Sequence, residues 1–137
     1  MSLCLSGGRI VDPATNTDKR ANLYIDGGRV LSVGRAPAGF NADETINVRG
    51  QIIAPGFIEL SAHLREPGLE HKATILNECR AAAAGGFTSI CSTPDTLPVM
   101  DNSSIVEYVR QRASRARAAR VLCLGALTRG LEGKVLA

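Results

Sequence analysis

The sequence predicts an α/β protein in two parts: a small β-rich segment, then the strand–helix alternation that builds a parallel sheet. Three observations carry this. Residues 1–54 hold short β-prone runs separated by glycine turns, Pro55-Gly56 punctuates the chain, and residues 55–137 alternate strand, loop and helix at βα spacing. At 137 residues the chain has the length of one ordinary domain, enough for a real core.

In the first part, LCLSGGRIV and NLYIDGGRVLSVG each set a Gly-Gly pair between β-prone runs, and Asp26-Gly27-Gly28 is a strong hairpin signal. ETINVRGQIIAPG repeats the pattern with Arg49-Gly50 as its turn. In the second part FIELSA reads as a strand, HLREPGLEH as a polar loop, and KATILNECRAAAAGG as a helix stopped by two glycines. FTSICST is the next strand and PDTLPVMDN the next loop. SSIVEYVRQRASRARA is a second helix, with Ser104 and Glu107 spaced as a capping box, and RVLCLGAL is a third strand. Three βα steps do not close a barrel, which needs roughly 250 residues. The expectation is therefore the amino-terminal part of a larger protein.

Composition narrows the function classes. With 45% hydrophobic and 21% charged residues the chain reads as soluble and globular. No run approaches the roughly 18 apolar residues of a membrane span, and MSLCLSGGRIVDP lacks the plan of a secretory signal, so the expected location is the cytoplasm. Cys4, Cys79, Cys91 and Cys123 are widely spaced with no CxxC pair, against a zinc knot or a disulfide framework. Cys91 and Cys123 lie in strand-like runs and are expected to be buried reduced thiols. A net charge of +3 is too small to argue for nucleic acid. Arg110, Arg112, Arg115, Arg117 and Arg120 flank an apolar stripe of Ile105, Val109, Ala113 and Ala116, as on an amphipathic helix covering a sheet, its outer side solvated or facing a subunit.

In parallel α/β folds functional groups gather at the carboxyl ends of strands. Those ends supply Ser61, His63 and Arg65, then Thr93 to Asp95, then Gly125 to Thr128. Ser61 and His63 are two apart, so on a strand they address one spot. His63 reads as a metal ligand or as a structural histidine. Arg65 reads equally as a bidentate partner for a substrate carboxylate or as one half of a local pair with Glu59 or Glu66. His71 begins a helix and reads as a surface residue.

PGFIELSAHLREPGLEHKATILNECRAAAAGGFTSICSTPDTLPVMDN closely resembles the amino-terminal part of dihydroorotases, in the cyclic amidohydrolase superfamily. That family's pattern reads approximately PGF-[IV]-D-x-H-x-H-x-R-[ED]-P-G, then a helix ending AAAAGGFT, then PNTxPxxDN. The GGRIVDP…LYIDGGRVLSVG opening and LTRGLEGK near the end extend the resemblance over nearly the whole chain. It implies an amino-terminal portion of a β-sandwich over residues 1–54. Residues 55–137 would then be the first three βα units of an incomplete metal-dependent (β/α)8 TIM barrel.

The resemblance also implies site roles. In active relatives both histidines of HxH bind zinc, while the Arg two residues on and the Asn of PNT hold the carboxylate of dihydroorotate; further ligands and a catalytic Asp come from later strands. Here Ser61 stands for the first His, His63 and Arg65 match, and Asp95 stands for the Asn. Glu59 replaces the mid-strand Asp, and Lys134, in a loop or helix start, is not a bridging lysine. Serine is a poor zinc ligand beside imidazole, and Asp95 would repel a substrate carboxylate. No catalytic residue is assigned within these residues, and zinc is expected to be absent or weakly held at His63. Two readings follow. One is a non-catalytic dihydroorotase-like subunit that assembles with and stabilises the aspartate transcarbamoylase catalytic chain in pyrimidine biosynthesis. The other is an active zinc-dependent cyclic amidohydrolase with a reduced metal site. Self-association stays open, and no nucleic-acid or membrane partner is expected.

Overall fold

The computed structural model describes residues 1–137, which divide into two compact units, Met1–Pro55 and Gly56–Ala137. In the first unit β1 (Ser2–Asp12) is the spine of a five-stranded sheet. β2 (Thr17–Asp26) runs antiparallel to β1, and β3 (Arg29–Val33) folds back on β2 through Gly27-Gly28, the hairpin read from the sequence. The other Gly-Gly pair is not a turn. Gly7 and Gly8 lie inside β1, where pairing with β2 slips by one residue between Leu5 and Gly8. Gly7 has a φ of +79°, and a Cβ there would meet Cγ of Arg49 at 2.7 Å, so this bulge needs a residue without a side chain. Asn22 closes it by accepting from the Gly7 amide at 2.9 Å.

Arg49-Gly50 is a turn as read, closed by the Gln51 amide donating to the Val48 carbonyl at 3.1 Å, but it makes no hairpin. β4 (Glu44–Asn47) and β5 (Ile52–Ile53) both pair parallel to β1, one after the other along its length. Turn chemistry marked the turn correctly, but partner choice is tertiary. Cys4, Ile10, Leu23, Tyr24 and Val48 are the buried apolar residues of this unit, and Tyr24 packs edge-on against Phe40 at 5.2 Å.

In the second unit β6 (Phe57–Ala62), β7 (Phe87–Ser92) and β8 (Arg120–Cys123) form a parallel sheet in that order. α1 (Ile75–Ala84) and α2 (Ser103–Ala116) are the crossovers, completing the expected strand–helix alternation. Leu64, Ile75, Cys79, Ile90, Met100 and Val109 fill the core. The apolar stripe of α2 faces it: Val109, Ala113 and Ala116 are buried and Ile105 packs against the same cluster.

Two local expectations change. Asn102, not Ser104, caps α2: its side-chain oxygen accepts from the amides of Ser104 and Ile105 at 3.1 and 3.2 Å, which places Ser104 inside the first turn. Cys123 is only partly buried because β8 pairs on one side alone, whereas Cys4, Cys79 and Cys91 are buried; all four thiols are free. No helix is long and apolar enough to cross a membrane.

Candidate functional site

The carboxyl ends of the three parallel strands are tied together by backbone hydrogen bonds. The Thr93 amide donates to the Ala62 carbonyl at 3.0 Å and the Leu97 amide to Pro67 at 3.0 Å, joining the loops after β6 and β7. Leu124 donates to Ser92 at 3.0 Å and Ala126 to Met100 at 2.8 Å, joining β8 to β7. The first two loops approach so closely that a Cβ on Gly68, whose φ is +91°, would fall 2.0 Å from the Leu97 carbonyl oxygen. Only glycine fits this crossing. It sets the loop carrying Arg65 against the loop carrying Asp95.

At that meeting point His63, Arg65, Thr93 and Asp95 come together. Nδ1 of His63 lies 2.9 Å from Oδ2 and 3.1 Å from Oδ1 of Asp95. An ionised carboxylate only accepts, so Nδ1 carries the proton and Nε2 of a neutral ring is the lone-pair nitrogen. The Thr93 hydroxyl donates to Asp95 Oδ1 and lies 3.0 Å from His63 Nδ1. Nη1 of Arg65 lies 3.6 Å from Asp95 Oδ2, and this is the ion pair that Arg65 makes. Arg65 has a φ of +65°, uncommon for a residue with a Cβ, and its carbonyl accepts from the Leu69 amide at 2.9 Å. Donation from Thr93 holds the Asp95 carboxyl below the usual carboxylate range; partial burial opposes this, and His63 adds to it. The cluster is open to solvent, with one-third to one-half of each charged side chain exposed.

Glu66 turns the other way and is buried, with 2% of its surface exposed. Its carboxylate accepts from the Ile75 amide at 2.8 Å, the Tyr108 hydroxyl at 3.0 Å and Nε of Arg112 at 2.8 Å. Burial pushes its pKa up, but these three donors outweigh burial and the net shift is downward. The local pairing weighed for Arg65 is therefore not made: Glu66 engages Arg112, and Glu59 accepts from the Ser61 amide at 2.9 Å.

Ser61 does not join the cluster. The pairing of β6 with β7 slips between Glu59 and Ala62, β6 ends at Ala62, and the Ser61 hydroxyl makes no hydrogen bond. The simple two-residue alternation from 61 to 63 thus does not carry through the strand end. Gly125 to Thr128 add no side chain to the cluster; instead Asp101 ties this segment down by accepting from the Gly130 amide at 2.9 Å. His71 is exposed and precedes α1, which Thr74 caps, so it does not begin the helix. Lys134 is exposed and pairs with Glu132 at 3.1 Å. Sequence reasoning reached Thr93 as a strand-end residue but missed it as a partner of Asp95, and it missed the Glu66–Tyr108–Arg112 node. The spacing of Tyr108 and Arg112, four apart on one helix face, was the available signal.

A zinc centre needs about three or four protein donors on one point. Nε2 of His63 is one, Asp95 is committed to His63 and Arg65, and no three His, Cys, Asp or Glu side chains of this chain converge to hold a metal. These residues alone do not fit the ion, and no chemical step is derived through it.

A family model described as dihydro-orotase-like matches residues 50–136. A dihydroorotase-like protein of Pseudomonas putida is 46% identical over all of this chain, which covers 32% of the relative. A dihydroorotase of Solibacter usitatus is 44% identical, again over all of this chain and 32% of the relative. The chain thus spans about a third of the length of the curated relatives it matches. Among solved structures, the L-hydantoinase (dihydropyrimidinase) of Arthrobacter aurescens superposes with a TM-score of 0.72 at 19% identity, covering 92% of this chain and 28% of that one. The dihydropyrimidinase of Brevibacillus agri gives a TM-score of 0.72 at 24% identity over 93% and 28%. These likenesses show the fold alone, shared with somewhat over a quarter of each of those chains.

Proposed function

The chain belongs to the dihydroorotase-like family, and from that premise we propose that it is a non-catalytic member serving pyrimidine biosynthesis through assembly. The observation that carries this reading is the engagement of Asp95 with His63 and Arg65. Arg65, which matches the family's carboxylate position, already pairs with an internal carboxylate at 3.6 Å, and the same carboxylate holds Nδ1 of His63, leaving only Nε2 of that ring open. Ser61, standing where the family pattern has its first histidine, offers a neutral hydroxyl in place of imidazole. Both changes act against a zinc-activated hydroxide attacking an anionic cyclic amide. The parallel βα unit beneath them keeps a fully satisfied buried charge node and a close-packed core. A scaffold maintained beneath an altered site suits a protein needed for its shape.

The proposed partner is the aspartate transcarbamoylase catalytic chain, in the cytoplasm, with zinc absent or weakly bound at His63. The test is purification with and without that partner, followed by dihydroorotate hydrolysis and metal analysis. The expected result is co-elution with aspartate transcarbamoylase, substoichiometric zinc and no turnover. Turnover at an ordinary enzymatic rate, on the order of 1 per second or faster, overturns the reading.

A further inference from the structure

We propose that the cleft between α1 and α2 is a phosphate-binding site, in which Arg80, Arg112 and Arg115 grip one phosphate dianion. Helical spacing brings these groups together. Leu76 and Arg80 are four apart on α1, and Arg112 and Arg115 are three apart on α2, so each pair shares one face of its helix. The two faces meet at a cleft of about 350 Å³, lined by these four residues with Thr74 and Glu66. That volume lies at the small end of the range for small-molecule sites.

Three guanidinium charges against one carboxylate leave the cleft two charges positive. Glu66, only 2% exposed, holds Nε of Arg112 at 2.8 Å from the buried side, and the Arg112 guanidinium lies 5.8 Å from the centre of the Tyr108 ring. One arginine is therefore fixed before any ligand arrives, while about half of its side chain stays exposed. Arg80 and Arg115 have no carboxylate within ion-pair distance. The Thr74 hydroxyl accepts from the Asn77 amide at 3.3 Å and keeps its own proton to donate. A phosphate monoester carries close to two negative charges at neutral pH on three acceptor oxygens, and the planar forks of arginine match that geometry. Arginine number alone does not make such a site. Arg110, Arg117 and Arg120 line a second cleft of about 310 Å³ at the carboxyl end of α2, where Arg110 sits 3.8 Å from Glu107 and the last helix carbonyls oppose an anion.

The test titrates the purified chain with inorganic phosphate, glycerol 3-phosphate and malonate at constant ionic strength, following the arginine Nε–H signals by NMR and heats by calorimetry. The expected result is saturable binding of both phosphates, half-saturated below about 1 mM, with the signals of Arg80, Arg112 and Arg115 shifting together. Arg80→Met and Arg115→Met should each weaken binding at least about fivefold, the order expected for one charge-assisted contact. These two are chosen because Arg112→Met would also disturb the Glu66 node. Arg110→Met removes the same charge from the same helix and should change affinity less than about twofold, because screening weakens charges outside the cleft. Tighter binding of the ester supports a phosphorylated metabolite as the source of the group, and equal binding supports free phosphate. No saturation by roughly 10 mM, malonate binding as tightly as phosphate, or equal weakening in Arg110→Met and Arg115→Met overturns the proposal. None of these readouts involves dihydroorotate or aspartate transcarbamoylase, so the assembly reading can fail while this inference stands, and the reverse.

Discussion

Arg65 and Glu66 are neighbours in the chain and opposites in the fold. Glu66 is buried, accepts from three donors on two helices, and fixes where the loop after β6 meets α1 and α2. Arg65 faces outward, a third exposed, with one ion pair at 3.6 Å. The first is architecture, because removing it leaves the buried Ile75 amide without its acceptor and releases the Tyr108 hydroxyl and the half-exposed Arg112 guanidinium that bind the loop to α2. The second is adjustable, because water can replace whatever is taken away. A site built this way can change its chemistry at the surface while its foundation stays intact, and Ser61 and Asp95 both lie on the adjustable side.

The largest effect should therefore come from the buried member. Glu66→Ala is expected to cost about 3 kcal/mol of unfolding free energy, read as a lowered urea midpoint with an unchanged slope. A loss under about 1 kcal/mol would erase the distinction between the two neighbours.

How much of this contrast the sequence reveals depends on the kind of contact. The three parallel strands and two helices are legible because period-2 and period-3.6 patterns, glycine stops and apolar stripes are local signals. Ser61, His63, Arg65 and Asp95 are legible as strand-end residues by the same logic, and through the dihydroorotase-like pattern. Pairings across distant segments are not. The arginines at 110, 112 and 115 of α2, with Arg117 and Arg120 just after it, look alike in one dimension, and only packing selects Arg112 for Glu66, 46 residues away. The same limit hides the parallel pairing of β4 and β5 with β1, and the bulge at Gly7 that a Gly-Gly pair presents as a turn.

Next in size is the loop crossing. Gly68→Ala puts a methyl group against the Leu97 carbonyl at a positive φ, and should cost about 2 kcal/mol. Gly27→Ala, also at positive φ but with open space around it, should cost about 1 kcal/mol. Thermal unfolding of the two variants side by side separates crowding from backbone strain. Equal losses would mean that the crossing yields easily and does not fix the site.

Acid sensitivity sharpens the same contrast. Burial raises the Glu66 pKa, but the Ile75 amide, Arg112 and Tyr108 together bring it below the ordinary glutamate value. A depressed folded-state pKa contributes stability that is fully present above the unfolded value and is lost as pH falls through the folded one. The parent should thus lose stability on acidification below the ordinary glutamate range. Glu66→Gln, less stable at neutral pH, should show a flatter acid limb. Parallel acid limbs for the two proteins would count against Glu66 as the titrating group.

The smallest effect is expected where the chemistry differs most from the family pattern. Asp95 is about two-fifths exposed and His63 about half, so solvent screens their pair and competes for both partners. Backbone bonds across the loops remain when the charge is removed. Asp95→Asn is therefore expected to shift unfolding free energy by less than about 1 kcal/mol, in a urea titration run beside Glu66→Ala. Stability and site chemistry would then be separable at neighbouring loops, which is what allows one to drift while the other is held. A loss comparable to that of Glu66→Ala would make Asp95 part of the foundation, and the tolerance of the scaffold for changes at its mouth would need another source.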